Sequence, residues 1–343
     1  MTTFRTATVI EVLEVLDGIE RYRVAMADGT NARAYALVEV IGPGAVGDEV
    51  VCNTTAVELG LGTGGWHVVH WNLSRREWQR PGPDHVMKMR YTSLQIDVGT
   101  SELVHPDVPL SLAGIPVVVC QVHSQVGVVA AAIGALRPGT RVAYVMTDGA
   151  ALPIALSDLV RQLRQRGLLD TTVTAGNAFG GDLEAVTVAS ALTLAAGPGD
   201  AEVIIVGMGP GVVGTGTAYG TTAIEAASTI DTVDALGGTP VFCVRASSGD
   251  ARERHRGVSH HSLTAIRLAH ARPLVALPPD LGQLSGTEPV AVPVPPIDSI
   301  LADVALRITT MGRSIDDDRL FFDTAACAAA VAVARLDAAT SNI

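Results

Sequence analysis

From Ile115 onward the chain repeats one pattern: a short apolar run, a polar loop, then an amphipathic stretch. The runs fall at 116–122, 142–146, 172–175, 203–206, 241–244 and 274–277, with helix-like stretches near 126–136, 157–166, 183–194, 218–236 and 262–270. Apolar runs this short, without polar alternation, predict strands buried on both faces, and helices between them predict βαβ units. The expected architecture is a doubly wound, Rossmann-like α/β domain with a parallel sheet. A Pro-rich connector at 290–296 leads to two further helices near 297–309 and 320–336. The second is so rich in Ala and Val that it predicts burial, either in the core or in a homo-oligomer interface.

The first 73 residues behave differently. Apolar and polar residues alternate, and turn signals recur at Asp17-Gly18, Asp28-Gly29, Gly42-Pro43-Gly44 and Gly47-Asp48, as in successive hairpins. About five short strands joined this way predict a small β-barrel, SH3-like or OB-like. Residues 1–73 are therefore assigned to the barrel, 74–84 with Pro81-Gly82-Pro83 to a linker, and 85–343 to the Rossmann-like domain and its C-terminal helices.

Charge narrows the partners. A net charge of -11 opposes nucleic-acid binding, which rests on many cationic contacts to phosphates, so Trp66 and Trp71 are expected to pack and not to stack on bases. The uncharged stretches 110–136 and 203–224 are interrupted by Pro116, Gln121, His123 and Gln125 or by glycines, which fits strand, loop and helix better than a membrane span. The N-terminal residues carry no apolar export segment, so a cytoplasmic location is expected. Cys52, Cys120, Cys243 and Cys327 form no CxxC or zinc-type spacing. Lys88, the single lysine among 24 basic residues, is read as a packing residue.

In open α/β sheets ligands sit beyond the carboxyl ends of the strands, and the residues after each run are polar. They are His123 and Ser124; Thr147, Asp148 and Gly149; Gly176, Asn177 and Asp182; the glycine-rich 207–220; and Arg245, Ser247, Ser248 and Asp250. All are expected on one edge. The glycine run holds GxGxxG at Gly209, Gly211 and Gly214 between a strand and a helix, a context in which backbone N–H groups and a helix N-terminus hold phosphate. Gly207, Gly216, Thr215 and Thr217 are expected to contribute, Thr215 and Thr217 as helix caps or hydroxyl donors. Two features depart from a dinucleotide fingerprint: the run follows the fourth strand, and the next strand ends at Arg245-Ala246-Ser247-Ser248 with no acid for a ribose. A tight turn is the structural alternative.

Residues 250–262 form the densest polar run. Arg245, Arg252 and Arg254 suit an anion because guanidinium presents a fork of donors; a solvated surface loop is the competing account. Ser259 is placed to cap the following helix. His255, His260 and His261 could serve acid–base chemistry or ligate a metal, but adjacent helical positions point apart, so only one is expected at a given site and none is assigned as a ligand. His260, Asp182, Asp148 and His123 are the candidates for catalysis. Asp148 has a second reading as a turn residue, and Asp182 as the N-cap of the helix at 183–194. No GxSxG, Walker lysine or HExxH accompanies them.

The strings 87–92 (MKMRYT), 144–153 (YVMTDGAALP), 178–185 (AFGGDLEA), 208–211 (MGPG) and 259–261 (SHH) resemble the bacterial family catalogued as domain of unknown function 3866. The resemblance covers nearly the whole chain and implies no catalytic residues. The expectation is thus a protein, enzymatic or not, that binds an anionic, phosphorylated or nucleotide-like small molecule at the sheet edge, with no cofactor specified. The alternatives are a scaffold module acting through its barrel and a metal-dependent hydrolase using His255, His260 and His261.

Overall fold

The computed structural model describes every residue except Thr63, Asn342 and Ile343. The chain forms two compact units, Met1–Gly99 and Thr100–Ile343. In the first, the strands are β1 (Phe4–Leu16), β2 (Ile19–Met26), β3 (Asn31–Leu37), β4 (Glu49–Asn53) and β5 (Trp66–Asn72), with the single-turn helices α1 (Val38–Ile41) and α2 (Thr55–Glu58). They close into a barrel in the order β1-β2-β3-β5-β4, with β3 parallel to β5 and β4 returning antiparallel to β1. This is the OB-like alternative. Alternation puts Val9, Tyr22, Val24, Ala34, Val50 and Cys52 inside. The ring of Trp66 is covered by the guanidinium groups of Arg33 and Arg21, at 4.8 and 5.5 Å, the packing role expected of it. Buried Lys88 lies in the short ladder of β6 (Met87–Lys88) with β7 (Ile96–Asp97).

The second unit opens with α3 (Ser101–Val104), β8 (Pro116–Cys120), α4 (His123–Leu136), β9 (Val142–Thr147), α5 (Asp158–Gln165), β10 (Thr171–Ala175), β11 (Leu183–Ala185), α6 (Val188–Ala196) and β12 (Val203–Met208). It continues through α7 (Glu225–Ala235), β13 (Thr239–Cys243), β14 (Ala246–Ser247), β15 (Gly257–Val258), α8 (His260–Leu268), β16 (Leu274–Val275), β17 (Glu288–Pro289), α9 (Ile297–Asp303) and α10 (Arg319–Ser341). Eight strands form one parallel sheet in the order β11-β10-β9-β12-β8-β13-β16-β17.

Residues of β8, β9 and β12 are buried throughout because both faces are covered. Val118, Cys120, Tyr144 and Met146 face a layer that includes α4, α9 and α10, while Val117, Val119, Ala143 and Val145 face α6 and α7. Successive strand residues supplying opposite cores is the pleat at work. Helix α10 is buried by α4, β8 and β13 within this chain, so its Ala-rich run belongs to the core. The uncharged stretches are strand, loop and helix as expected, and among the described residues no helix is long and apolar enough to cross a membrane.

The chain runs from β8 past the position of β12 to β9, and from β12 back across β8 to β13. Helices α4 and α7 therefore leave the middle of the sheet on opposite faces, opening the carboxyl ends of β9, β12, β8 and β13. Buried amides brace that edge. Gln125 accepts from the N–H groups of Gln121 and Val122 (2.8 and 3.1 Å) and donates to the carbonyls of Cys243 and Val244, while Gln121 donates to Ala223. Ser262 donates to Gln121 and accepts from the Arg245 N–H, tying the start of α8 to the end of β13.

Candidate functional site

The glycine-rich run is not a phosphate loop leading straight into a helix. Gly207 is inside β12, where a Cβ would stand 2.9 Å from the carbonyl oxygen of Cys120, and Gly209 lies buried against Ala151 and Met146. The chain then makes an exposed excursion closed by a bridge between Gly214 and Thr221 and by the Thr215 N–H donating to Gly220 (2.7 Å). Thr217 Oγ1 is engaged with Thr215 Oγ1 and the Gly220 N–H inside this hairpin. Helix α7 begins at Glu225, not Ala218, and Thr221, not Thr215 or Thr217, caps the turn leading to it. Of the expected phosphate ligands here, Gly214 and Gly216 border a basic cavity, Gly211 borders a separate one, and Gly207, Gly209 and Thr217 serve the fold.

The basic cavity, about 140 Å³, is lined by Gly214, Gly216, Thr221, Arg245, Arg254 and His261 among others. Two buried carboxylates hold its wall. Asp250, 2% exposed, accepts from Arg252 Nε and Nη2 (2.9 and 2.8 Å) and from Arg313 Nη2 (3.3 Å). Asp318 accepts from Ser247 Oγ (2.6 Å), the Ser248 N–H and Arg313 Nε (2.9 Å). The Arg252 hydrogen bond and charge hold Asp250 well below the usual carboxylate range; burial pushes Asp318 up, but its Ser247 and Arg313 bonds bring it below normal. Arg252 thus pairs with Asp250 and also lines the cavity. Arg245 is 3% exposed, its Nη2 makes no hydrogen bond, and Asp250 lies 3.6 Å away. Burial, with Arg252 nearby, lowers Arg245 to about 10, so it stays cationic at neutral pH.

The three histidines converge, contrary to expectation. His260 and His261 open α8 behind the Ser259 cap, and the preceding turn brings His255 back, giving ring-centroid separations of 4.2, 4.9 and 5.0 Å. His255 Nδ1 and Ser259 Oγ are hydrogen bonded at 2.8 Å. Burial followed by Arg245 pushes His255 down to about 3; burial and then His260 bring His261 to about 4; burial and then Arg254 lower His260. Both ring nitrogens of His261 and Nε2 of His260 are buried without a hydrogen-bond partner.

The other expected residues do not share this pocket. His123 lies on a cavity of about 350 Å³ with Ser124, Pro210, Gly211, Val212 and Met311. Its ring is engaged by Ser157 Oγ (2.6 Å) and the Met208 carbonyl (3.3 Å), and burial pushes it down to about 4. Asp148 is exposed and accepts from the Asn177 N–H (2.9 Å), which ties the loop after β9 to the loop after β10. Asp182 is neither at the carboxyl edge nor a cap: it pairs with Arg164 and accepts from the Thr172 N–H (2.8 Å), beside the start of β10. The segment after it is β11, and Thr187 caps α6. Glu225, absent from the expected set, accepts from Thr147 Oγ1 (2.6 Å), and burial pushes it up to about 7. Glu225, Arg313 and Asp318 come from remote segments with no local motif.

A family model described as protein of unknown function (DUF3866) matches residues 33–329. No curated protein and no solved structure matches the chain.

Proposed function

Because the chain belongs to the DUF3866 family, whose description assigns no activity, we propose from the site alone that it binds a phosphorylated, nucleotide-like small molecule. The observation that carries this reading is Arg245, a buried guanidinium whose Nη2 makes no hydrogen bond and only a 3.6 Å ion pair with Asp250. Leaving a charged donor unsatisfied costs more than the roughly 1–3 kcal/mol of a neutral one, and an anion would recover it. Arg254, which stands beside Gly216 and has no ion pair among the described residues, supplies a second cation. A space of about 140 Å³ suits a phosphoryl group. The cavity of about 350 Å³ shares Val212 and Met311 with it and suits the organic body.

A thermal-shift panel of nucleoside phosphates and dinucleotides against the unphosphorylated nucleosides tests this. A phosphate-bearing ligand at 100 times its Kd should stabilise the chain by about 2.7 kcal/mol, an upward shift that Arg254→Ala reduces. No shift with any phosphate-bearing compound defeats the reading.

A further inference from the structure

We propose that His255, His260 and His261 form a binding site for a divalent transition metal of the zinc class. One ring nitrogen from each lies within 4.8 Å of the other two; tetrahedral zinc with nitrogen ligands at about 2.0–2.1 Å needs separations of about 3.4 Å, which side-chain rotation supplies. The donors are of the right kind. Imidazole nitrogens are ligands that zinc takes readily, and three of them are gathered here.

The unpartnered nitrogens are the second observation. His261 is 4% exposed and neither of its ring nitrogens has a partner, nor does Nε2 of His260. Buried polar atoms are normally satisfied, and one ion can take His260 Nε2 together with one nitrogen of His261, whose other nitrogen carries the ring proton. The Ser259 hydroxyl at His255 Nδ1 is the outer contact that orients a ligating ring, leaving Nε2 for the metal.

The neighbouring guanidinium groups oppose a bare cation, but Asp250 and Asp318 together offset two of the three charges of Arg245, Arg252 and Arg313. Three neutral ligands also leave coordination positions open to water or an anion, and Arg245 and Arg254 line the same cavity as His255 and His261. The metal site stands on the histidines alone and does not need the phosphate reading.

The test uses the full chain, tag-free and stripped with a chelator. Titration with Zn²⁺ by calorimetry and with Co²⁺ by visible absorption should give one metal per chain with the spectrum of a low-coordinate, nitrogen-ligated ion. His260→Ala, the least buried of the three, should weaken binding by more than the roughly 10–100-fold typical of losing an outer partner, with circular dichroism unchanged. X-ray absorption of the unsubstituted zinc-loaded protein should count three imidazoles, a readout that needs no variant to fold. No stoichiometric binding, fewer than two imidazoles, or affinity unchanged in a folded His260→Ala would overturn the site. Arg254→Ala should lose phosphate-ligand binding and keep the metal, so either reading can fail without the other.

Discussion

Two loops leave the strands on either side of β8, and they treat their polar groups in opposite ways. The excursion after β12 is exposed and spends its donors on itself: Thr215, Thr217 and Gly220 bond one another. The loop after β13 is drawn inward around Asp250 and Asp318, and the segment it leads into leaves Arg245 Nη2, His260 Nε2 and both ring nitrogens of His261 buried without a hydrogen bond. A loop that satisfies itself has little to offer a ligand. A loop that buries unsatisfied donors and acceptors carries a cost that a bound water or ligand removes.

The largest effect separating the two loops should come from the carboxylate that anchors the second. Asp318→Ala leaves Arg313 without one of its two partners and frees Ser247 and the Ser248 N–H. Breaking such a buried pair costs about 3–5 kcal/mol, measurable by denaturant unfolding. A loss under about 1 kcal/mol would mean that the loop after β13 is as loosely held as its neighbour.

The second difference is in pH response. For the histidines of the β13 loop, pushed below 6.5, the folded state binds fewer protons than the unfolded one, so stability falls as pH drops from about 6.5 towards 4. Glu225, at the exit of the glycine loop, has the reverse sign: raised from 4.5 to about 7, it contributes stability below pH 4.5 that is lost as pH rises through about 7. Glu225→Gln removes that loss. Relative to the unsubstituted chain, the variant should gain about 3 kcal/mol between pH 4.5 and 7.5, read from urea unfolding at each pH. Parallel curves would remove Glu225 as a perturbed group.

The apolar periodicity made the parallel sheet legible because strands buried on both faces cannot hide their pattern: β8, β9, β10, β12 and β13 lie within two residues of the expected runs at most boundaries. Strand β11 was not legible. Its three residues, Leu-Glu-Ala, favour helix on their own and are held extended by pairing with β10 and by hydrogen bonds from Thr100 and to Ser101 at Glu184. The candidate site was legible in part. Arg245 and the histidines stand where strand-end reasoning places them, but their convergence depends on the Ser259 turn, which a helical-wheel argument ignores. The glycine spacing misled for a related reason: Gly207 answers to a neighbouring strand, and a spacing rule cannot distinguish that from a ligand's approach.

That distinction can be drawn within the glycine run itself. Gly207→Ala pushes a methyl to within 2.9 Å of the Cys120 carbonyl oxygen, and overpacking of this kind costs about 1–3 kcal/mol. Thr217→Ala, in the exposed hairpin, should stay within about 0.5 kcal/mol of the unsubstituted protein and leave phosphate-ligand affinity unchanged, because its hydroxyl is already occupied by Thr215 and Gly220. Calorimetric titration of both variants with one phosphate-bearing ligand decides the matter. The hairpin lines the cavity through Gly214 and Gly216 but not through Thr217, so a tenfold loss in Thr217→Ala would add that hydroxyl to the binding site.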